Sequence, residues 1–107
     1  PNALEARVFV PENSVWFPGH FPGEPILPGI AVVHAVYEII QRDAQSRDTS
    51  LHISHLKRIR FTSPVRPGDT LLISITSEVA STEVHYIFKA TVGDNAVSSG
   101  LVAMAKM

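Results

Sequence analysis

The sequence predicts an α+β protein in which one long central helix is wrapped by a curved antiparallel β-sheet. The first observation is an almost wholly apolar segment, residues 30–40, inside a run too long for one buried strand. The second is a set of four later segments rich in β-branched and aromatic residues, separated by turn residues. The chain has 107 residues, which is enough for one modest core. We therefore expect a single domain over residues 1–107.

The predicted elements follow the order strand, loop, helix and four strands. Residues 3–10 alternate imperfectly between apolar and polar side chains and predict the first strand. Residues 11–29 contain five prolines and three glycines, which favours an ordered loop over a helix or a central strand. The helix is predicted to begin at Gly29 and to become polar from Gln41. The remaining strands are predicted at residues 52–61, 69–79, 83–92 and 96–107, with turns at 63–69 and 93–95.

Composition narrows the classes of function. The formal net charge of -1 gives no general attraction to nucleic acid or to an anionic membrane, so we expect neither as a partner. The chain has no cysteine, which excludes disulfides, thiolate metal sites and a cysteine nucleophile. No apolar run reaches the length of a membrane span, and the first residues do not resemble a signal peptide. We therefore expect a cytoplasmic protein, and its aliphatic content favours self-association.

Two polar residues, His34 and Glu38, interrupt the apolar part of the helix. They are four positions apart and therefore lie on one helical face, which predicts that this face meets a site or a subunit interface. A histidine in such a run is more often a hydrogen-bonded core residue than a catalyst. We expect Glu38 to accept a hydrogen bond from His34 and to fix its tautomer, while burial would oppose the imidazolium form.

Two proline-rich motifs resemble those of one enzyme family. The stretch GHFPGEPILPG (19–29) resembles the active-site loop of the 3-hydroxyacyl-(acyl carrier protein) dehydratases, in which a histidine heads the loop and a glycine opens the central helix. The stretch RFTSPVRPGDTL (60–71) resembles a strand and turn of the same family. The resemblance implies a hotdog fold, and a short member of the family, because the N-terminal helical segment of the longer dehydratases has no counterpart here. It also implies dehydration of 3-hydroxyacyl thioesters in fatty-acid or polyketide-type lipid synthesis, without a metal or an organic cofactor.

The resemblance also implies roles for individual residues. His20 would be the base that removes the C2 proton, and the backbone N–H of Gly29 would polarise the thioester carbonyl, although a glycine is also suited to a tight turn into the helix. The family's helix acid, Glu or Asp, lies fourteen positions after the loop histidine, where this chain has His34. We therefore expect His34 to act as the acid or to orient a water molecule. Phe21 and Glu38 are expected to help bind the substrate.

Acyl carrier protein is the partner that the resemblance implies. In this family the loop histidine and the helix acid of one site come from two subunits, so His20 of one chain is expected to meet His34 of another. The assembly would be a homodimer, a dimer-based oligomer or a heterodimer with a related dehydratase. Lys57, Arg58 and Arg66 are expected to form a basic docking surface for the acidic carrier, with an ordinary solvated strand face as the alternative.

Two further functions stay open at this stage. One is a non-catalytic dehydratase-like subunit of a heteromer, in which His34 would show that the family's catalytic acid has been lost. A hotdog acyl thioesterase would need a carboxylate to activate water, and Glu38 is the one placed for it. A metal site at His52 and His55 is not expected, because a spacing of three places strand residues on opposite faces.

Overall fold

The computed structural model describes residues 3–11 and 27–106, arranged as one helix and one five-stranded sheet. The sheet is antiparallel throughout, and its strands follow the order β1-β3-β4-β5-β2. Every strand boundary lies within one residue of its predicted position, so the predicted order of the helix and the strands is confirmed. Most of the predicted loop, residues 12–26, lies outside the described residues. The elements are β1 (Ala3–Phe9), α1 (Gly29–Ser46), β2 (Leu51–Phe61), β3 (Thr70–Ala80), β4 (Glu83–Val92) and β5 (Asn95–Lys106).

The core lies between one side of α1 and the inner face of the sheet. Val36 and Ile40 of the helix are fully buried, and so are Ile73 of β3, Phe88 of β4 and Val102 of β5. Burial of each such side chain contributes about 1.5–3 kcal/mol relative to leaving it in water. Because strand side chains alternate between two faces, the residues between these buried positions lie on the outer face of the sheet, away from α1.

The first and last residues of α1 are set by the backbone conformation and hydrogen bonds of their neighbours. Pro28 is the N-cap residue and is extended, with φ -59° and ψ 143°. At the other end Asp48 has a positive φ of 53°, a conformation that aspartate tolerates better than most residues. The N–H of Asp48 donates to the carbonyl of Gln45, and the N–H of Thr49 donates to the carbonyl of Ala44. These two bonds form a Schellman ending, so the helix stops without glycine.

The sheet covers one side of α1 and leaves the opposite row of side chains exposed in the single chain. Ile30, His34, Glu38 and Arg42 form this row, which we call the exposed row, because residues four apart lie one above the other on a helix. The expected burial of His34 is therefore not present in the single chain, since one sheet can cover only one side of a helix.

Among the described residues, no helix has both the length and the apolar character that crossing a membrane requires.

β2 contains a bulge that changes which residues share a face. Ser54 has no register partner in β5, whereas His52 pairs with Ala105 and His55 pairs with Ala103. Because positions two apart in β5 lie on one face, both histidines lie on the same face of the sheet. The prediction that a spacing of three separates them is wrong, because the bulge adds one residue to the alternation.

Candidate active site

His34 and Glu38 are in contact on the exposed row of α1. The Nε2 atom of His34 lies 2.6 Å from Oε1 of Glu38, so the predicted pairing of the two side chains is confirmed. Nη2 of Arg42 lies 4.0 Å from the second oxygen of the same carboxylate. The two paired side chains are 53% and 50% exposed, so both are accessible to a ligand from solution.

A groove of about 290 Å³ runs beside this pair. Its polar lining comes from the exposed row of α1, including both His34 and Glu38, and its apolar lining comes from α1 and from the end of β1 with the residues that follow it. Pro11 and Leu27 also line the groove. They are the described residues on either side of segment 12–26. The predicted base His20 and the predicted substrate contact Phe21 belong to that segment and lie outside the described residues.

The second proline-rich motif forms a turn that binds both ends of segment 12–26. The N–H of Leu27 donates to the carbonyl of Val65 at 2.7 Å. On the other side, the N–H of Gly68 donates to the carbonyl of Val10 at 2.8 Å, and the N–H of Val10 donates to the carbonyl of Asp69 at 2.9 Å. Gly68 has φ 88°, a conformation that favours glycine. The turn between β2 and β3 therefore holds both points at which the histidine-containing segment is attached.

Gly29 opens α1 and lies against the aromatic ring of Phe61. As the first helical residue it belongs to the turn whose N–H groups have no acceptor within the helix itself, which suits the predicted role in polarising a carbonyl. A Cβ atom at this position would lie 2.6 Å from the ring. Among the described residues, the glycines with positive φ are Gly68 and Gly93, so a tight turn does not explain the glycine at this position. The close approach of the Phe61 ring explains why this position has a glycine.

The three predicted docking residues are exposed. Lys57 and Arg58 lie on β2, an edge strand of the sheet in the single chain, and Arg58 has a positive φ of 55° beside a second irregularity of that strand. Arg66 lies in the turn between β2 and β3, where its N–H donates to the carboxylate of Asp69 at 2.8 Å. A docking surface composed of these residues stays a prediction.

A second cluster, not predicted from the sequence, lies on the outer face of the sheet. Oε1 of Glu83 is 3.2 Å from Nε2 of His85, and Oε2 is 3.7 Å from Nδ1 of His55. The hydroxyl of Ser54 donates to Glu83, and this bond, followed by the one from His85, holds the pKa of the carboxyl below its ordinary value. The one signal in the sequence is the Glu-x-His spacing of β4, which places Glu83 and His85 on one face.

A sequence profile of the ApeI-like dehydratases, described as ApeI dehydratase, matches residues 1–101. The 3-hydroxyacyl-(acyl-carrier-protein) dehydratase FabZ of Oenococcus oeni is 31% identical over 103 residues, which cover 88% of this chain and 72% of that protein. FabZ of Thermomicrobium roseum is 36% identical over 67 residues, which cover 59% of this chain and 45% of that protein. The chain spans about half the length of most of these curated relatives.

Solved structures show the same fold. The dehydratase heterocomplex ApeI:P from Xenorhabdus doucetiae matches with a TM-score of 0.77 and 25% identity, over 97% of this chain and 88% of that chain. The fluoroacetyl-CoA thioesterase FlK matches with a TM-score of 0.82 over 98% of this chain and 84% of that chain. At 13% identity the likeness to FlK shows the fold alone. The predicted hotdog fold is confirmed.

Proposed function

This chain belongs to the ApeI-like dehydratase family, and from that premise we propose that it dehydrates 3-hydroxyacyl thioesters on acyl carrier protein to trans-2-enoyl thioesters. The observation that carries the proposal is the contact between His34 and Glu38 in a groove lined by both attachment points of the segment containing His20. FabZ relatives, which are named for 3-hydroxyacyl-(acyl-carrier-protein) dehydration, support this substrate class.

The proposed reaction needs a base, an acid and a group that polarises the carbonyl. His20 takes the C2 proton, and the electrons of the C–H bond form the new double bond between C2 and C3. The C3–O bond breaks, and the departing hydroxyl takes a proton from His34 and leaves as water. The N–H of Gly29 stabilises the negative charge that develops on the thioester oxygen. Phe21 contributes to the apolar part of the substrate site.

Glu38 is a positioning residue in this scheme. Its carboxylate, 2.6 Å from Nε2 of His34, accepts from that nitrogen and stabilises the positive charge of a proton-donating imidazole. The donation to the substrate then falls to Nδ1. This arrangement moves the carboxylate one helical turn away from the place where related dehydratases have it.

We further propose that the working site is formed by two chains. The exposed row of α1 supports this proposal, because it combines the apolar Ile30, which is 57% exposed, with His34 and Glu38. A partner helix on this row would cover Ile30 and close the groove. The assembly would be a homodimer, a dimer-based oligomer or a heterodimer with a related dehydratase.

Acyl carrier protein would dock on Lys57, Arg58 and Arg66, which are exposed.

A second candidate function is that of a dehydratase-like subunit that supplies only part of a heteromeric site. The likeness to a dehydratase heterocomplex, ApeI:P, favours this candidate specifically. In that case His34 would stand in place of an acid that the partner subunit provides, and the chain alone would be inactive.

One assay separates these functions. The purified chain is incubated with 3-hydroxyacyl and enoyl thioesters of acyl carrier protein, while enoyl absorbance and free thiol are both recorded. The proposed dehydratase changes the absorbance without releasing thiol, and it loses this activity in His34→Ala but keeps it in His52→Ala, a matched histidine on β2. Thiol release would instead identify a thioesterase. Activity that arises only after a related dehydratase is added would identify the heteromeric subunit.

A further inference from the structure

We propose that His55, Glu83 and His85 form a binding site for a divalent transition-metal ion of the zinc type on the outer face of the sheet. The site would join the edge strand β2 to β4 across β5. It is separate from the groove beside α1 and does not depend on the proposed dehydratase activity.

The three side chains offer ligand atoms at distances that suit one ion. One ligand atom from each residue lies within 4.8 Å of the other two. The contacts from Glu83 to His85 and to His55 are 3.2 Å and 3.7 Å. In a tetrahedral zinc site, with bonds of about 2.0–2.2 Å to nitrogen and oxygen, neighbouring ligand atoms are about 3.3 Å apart. Small side-chain rotations would therefore be enough to complete the coordination.

The register of the sheet explains why these residues meet. His55 of β2 and His85 of β4 both pair with Ala103 of β5, one from each side. Glu83 pairs with Ala105, two positions further along the same face. Alanine side chains project only one carbon from the strand, so the imidazoles and the carboxylate can meet above β5. Ala103 is fully buried, as expected if the cluster covers it.

The ligands are held in place before any ion binds. Their side chains are only 36%, 24% and 26% exposed for His55, Glu83 and His85. The Ser54 hydroxyl fixes the carboxylate by donating to it. Ordering by neighbouring hydrogen bonds is a regular feature of metal ligands.

The two ring nitrogens of His55 have different surroundings. Among the described residues, its Nε2 atom is buried and has no hydrogen-bond partner. Buried polar atoms without a partner are uncommon in proteins, and each one calls for an explanation such as a bound ion or water. The nitrogen that faces Glu83 is Nδ1, at 3.7 Å, so the geometry places the proposed ion at Nδ1 and not at Nε2.

The donor set selects the class of ion. Two imidazole nitrogens and one carboxylate oxygen suit zinc, nickel or copper, whereas magnesium and calcium prefer oxygen ligands alone. Two residues of opposite charge lie on the same face, and their charges nearly cancel. Glu78 pairs with His85, and Lys57 lies two residues after His55. His52 lies on the same face, where it pairs with Ala105, but it is not one of the three grouped ligands. The ion would therefore be held chiefly by its three ligands.

Calorimetric titration of the untagged, EDTA-treated chain with zinc chloride tests the proposal. We expect one zinc ion per chain in the wild type, no comparable binding of magnesium, and affinity weakened by more than about tenfold in Glu83→Gln and His85→Ala. The matched control is His52→Ala, which removes a histidine of the same strand and face and should bind zinc like the wild type. Failure of the wild type to bind zinc saturably would overturn the proposal, and so would equal losses in His52→Ala and His85→Ala.

Thermal unfolding provides a second readout that does not rely on a histidine variant. Because an ion that binds only the folded chain stabilises it, excess zinc should raise the wild-type Tm by about 5 °C. Glu83→Gln keeps the shape of the side chain and can still accept from Ser54, so it should fold and show little zinc-dependent rise. The same rise in Glu83→Gln as in the wild type would assign the zinc to other residues and reject this site.

Discussion

At the scale of single residues, the most informative position is His34, where the resemblance to the dehydratases implies a carboxylic acid. An imidazole can donate a proton as a carboxylic acid does, but it must first carry a positive charge. The carboxylate of Glu38, 2.6 Å away, stabilises that charge. In the proposed reaction, this pair of residues would together perform the role of one acid.

Removal of either member of the pair should reduce turnover. We expect His34→Ala to lower kcat about a hundredfold or more, because it removes the proton donor, and Glu38→Gln to lower it about tenfold. KM should change little in both. The double variant should be no slower than His34→Ala alone, since Glu38 acts through the imidazole. Steady-state kinetics of the four proteins give the answer, and fully additive losses would contradict the coupling.

Near the start of α1, the lack of a side chain at Gly29 allows the Phe61 ring to pack closely. In Gly29→Ala the new Cβ would lie 2.6 Å from the Phe61 ring, which must then move. We expect a loss of about 1–2 kcal/mol in the free energy of unfolding, typical of added volume at a tight contact. Denaturant unfolding measures it.

A second change tests whether the contact with Phe61 is the cause of this loss. Phe61→Leu in the Gly29→Ala background should restore part of the lost stability, because the smaller side chain leaves room for the methyl group. Unchanged stability in Gly29→Ala would show instead that the ring moves without cost. The glycine would then need another explanation.

At the scale of elements, the attachment of β2 depends in part on a carboxylate from β4. Ser54 and His55 of β2 contact Glu83, whose pKa is lowered mainly by the Ser54 hydroxyl. Because the folded-state pKa lies below the ordinary 4.5, this group adds stability above pH 4.5 that is lost as the pH falls through the folded-state value. Glu83→Gln has no such titration.

The expected result is a difference between two pH profiles. Measured in EDTA, the wild-type Tm should fall more steeply than that of Glu83→Gln once the pH is below about 4.5. Above that range the two profiles should run parallel, with the wild type more stable. Parallel profiles throughout the acid range would mean that the carboxylate contributes no pH-dependent stability to the sheet.

The helix and the strands were largely predictable from the sequence, whereas the side-chain contacts between different strands were not. Hydrophobic patterns and turn residues predict where each strand and the helix begin, since those signals are local. The bulge at Ser54 has no glycine or proline to indicate it and depends on pairing with β5. The contact between His55 and Glu83 depends on that bulge and on the strand order, so it could not be predicted. The contact between His34 and Glu38 could, because it is set by helical spacing alone.

At the scale of the whole molecule, the exposed row of α1 predicts that one chain does not form the site by itself. If His20 of one chain works with His34 of another, a mixture of the inactive variants His20→Ala and His34→Ala should regain activity. Half of the randomly formed dimers would be mixed, and each would contain one intact site of two, so about a quarter of wild-type activity is expected. Each variant alone provides the control. A mixture as inactive as its components, after subunit exchange has been verified, would place both histidines in one chain.

The turn between β2 and β3 has a consequence for how this architecture can diversify. It holds segment 12–26 at both ends through backbone N–H and carbonyl groups of Val10, Leu27 and the turn itself. Main-chain hydrogen bonds do not depend on side-chain identity, so residues inside the segment can be exchanged without loss of its anchorage. If the proposed function is correct, substitutions within this segment can therefore alter the substrate site without removing the main-chain bonds that attach it.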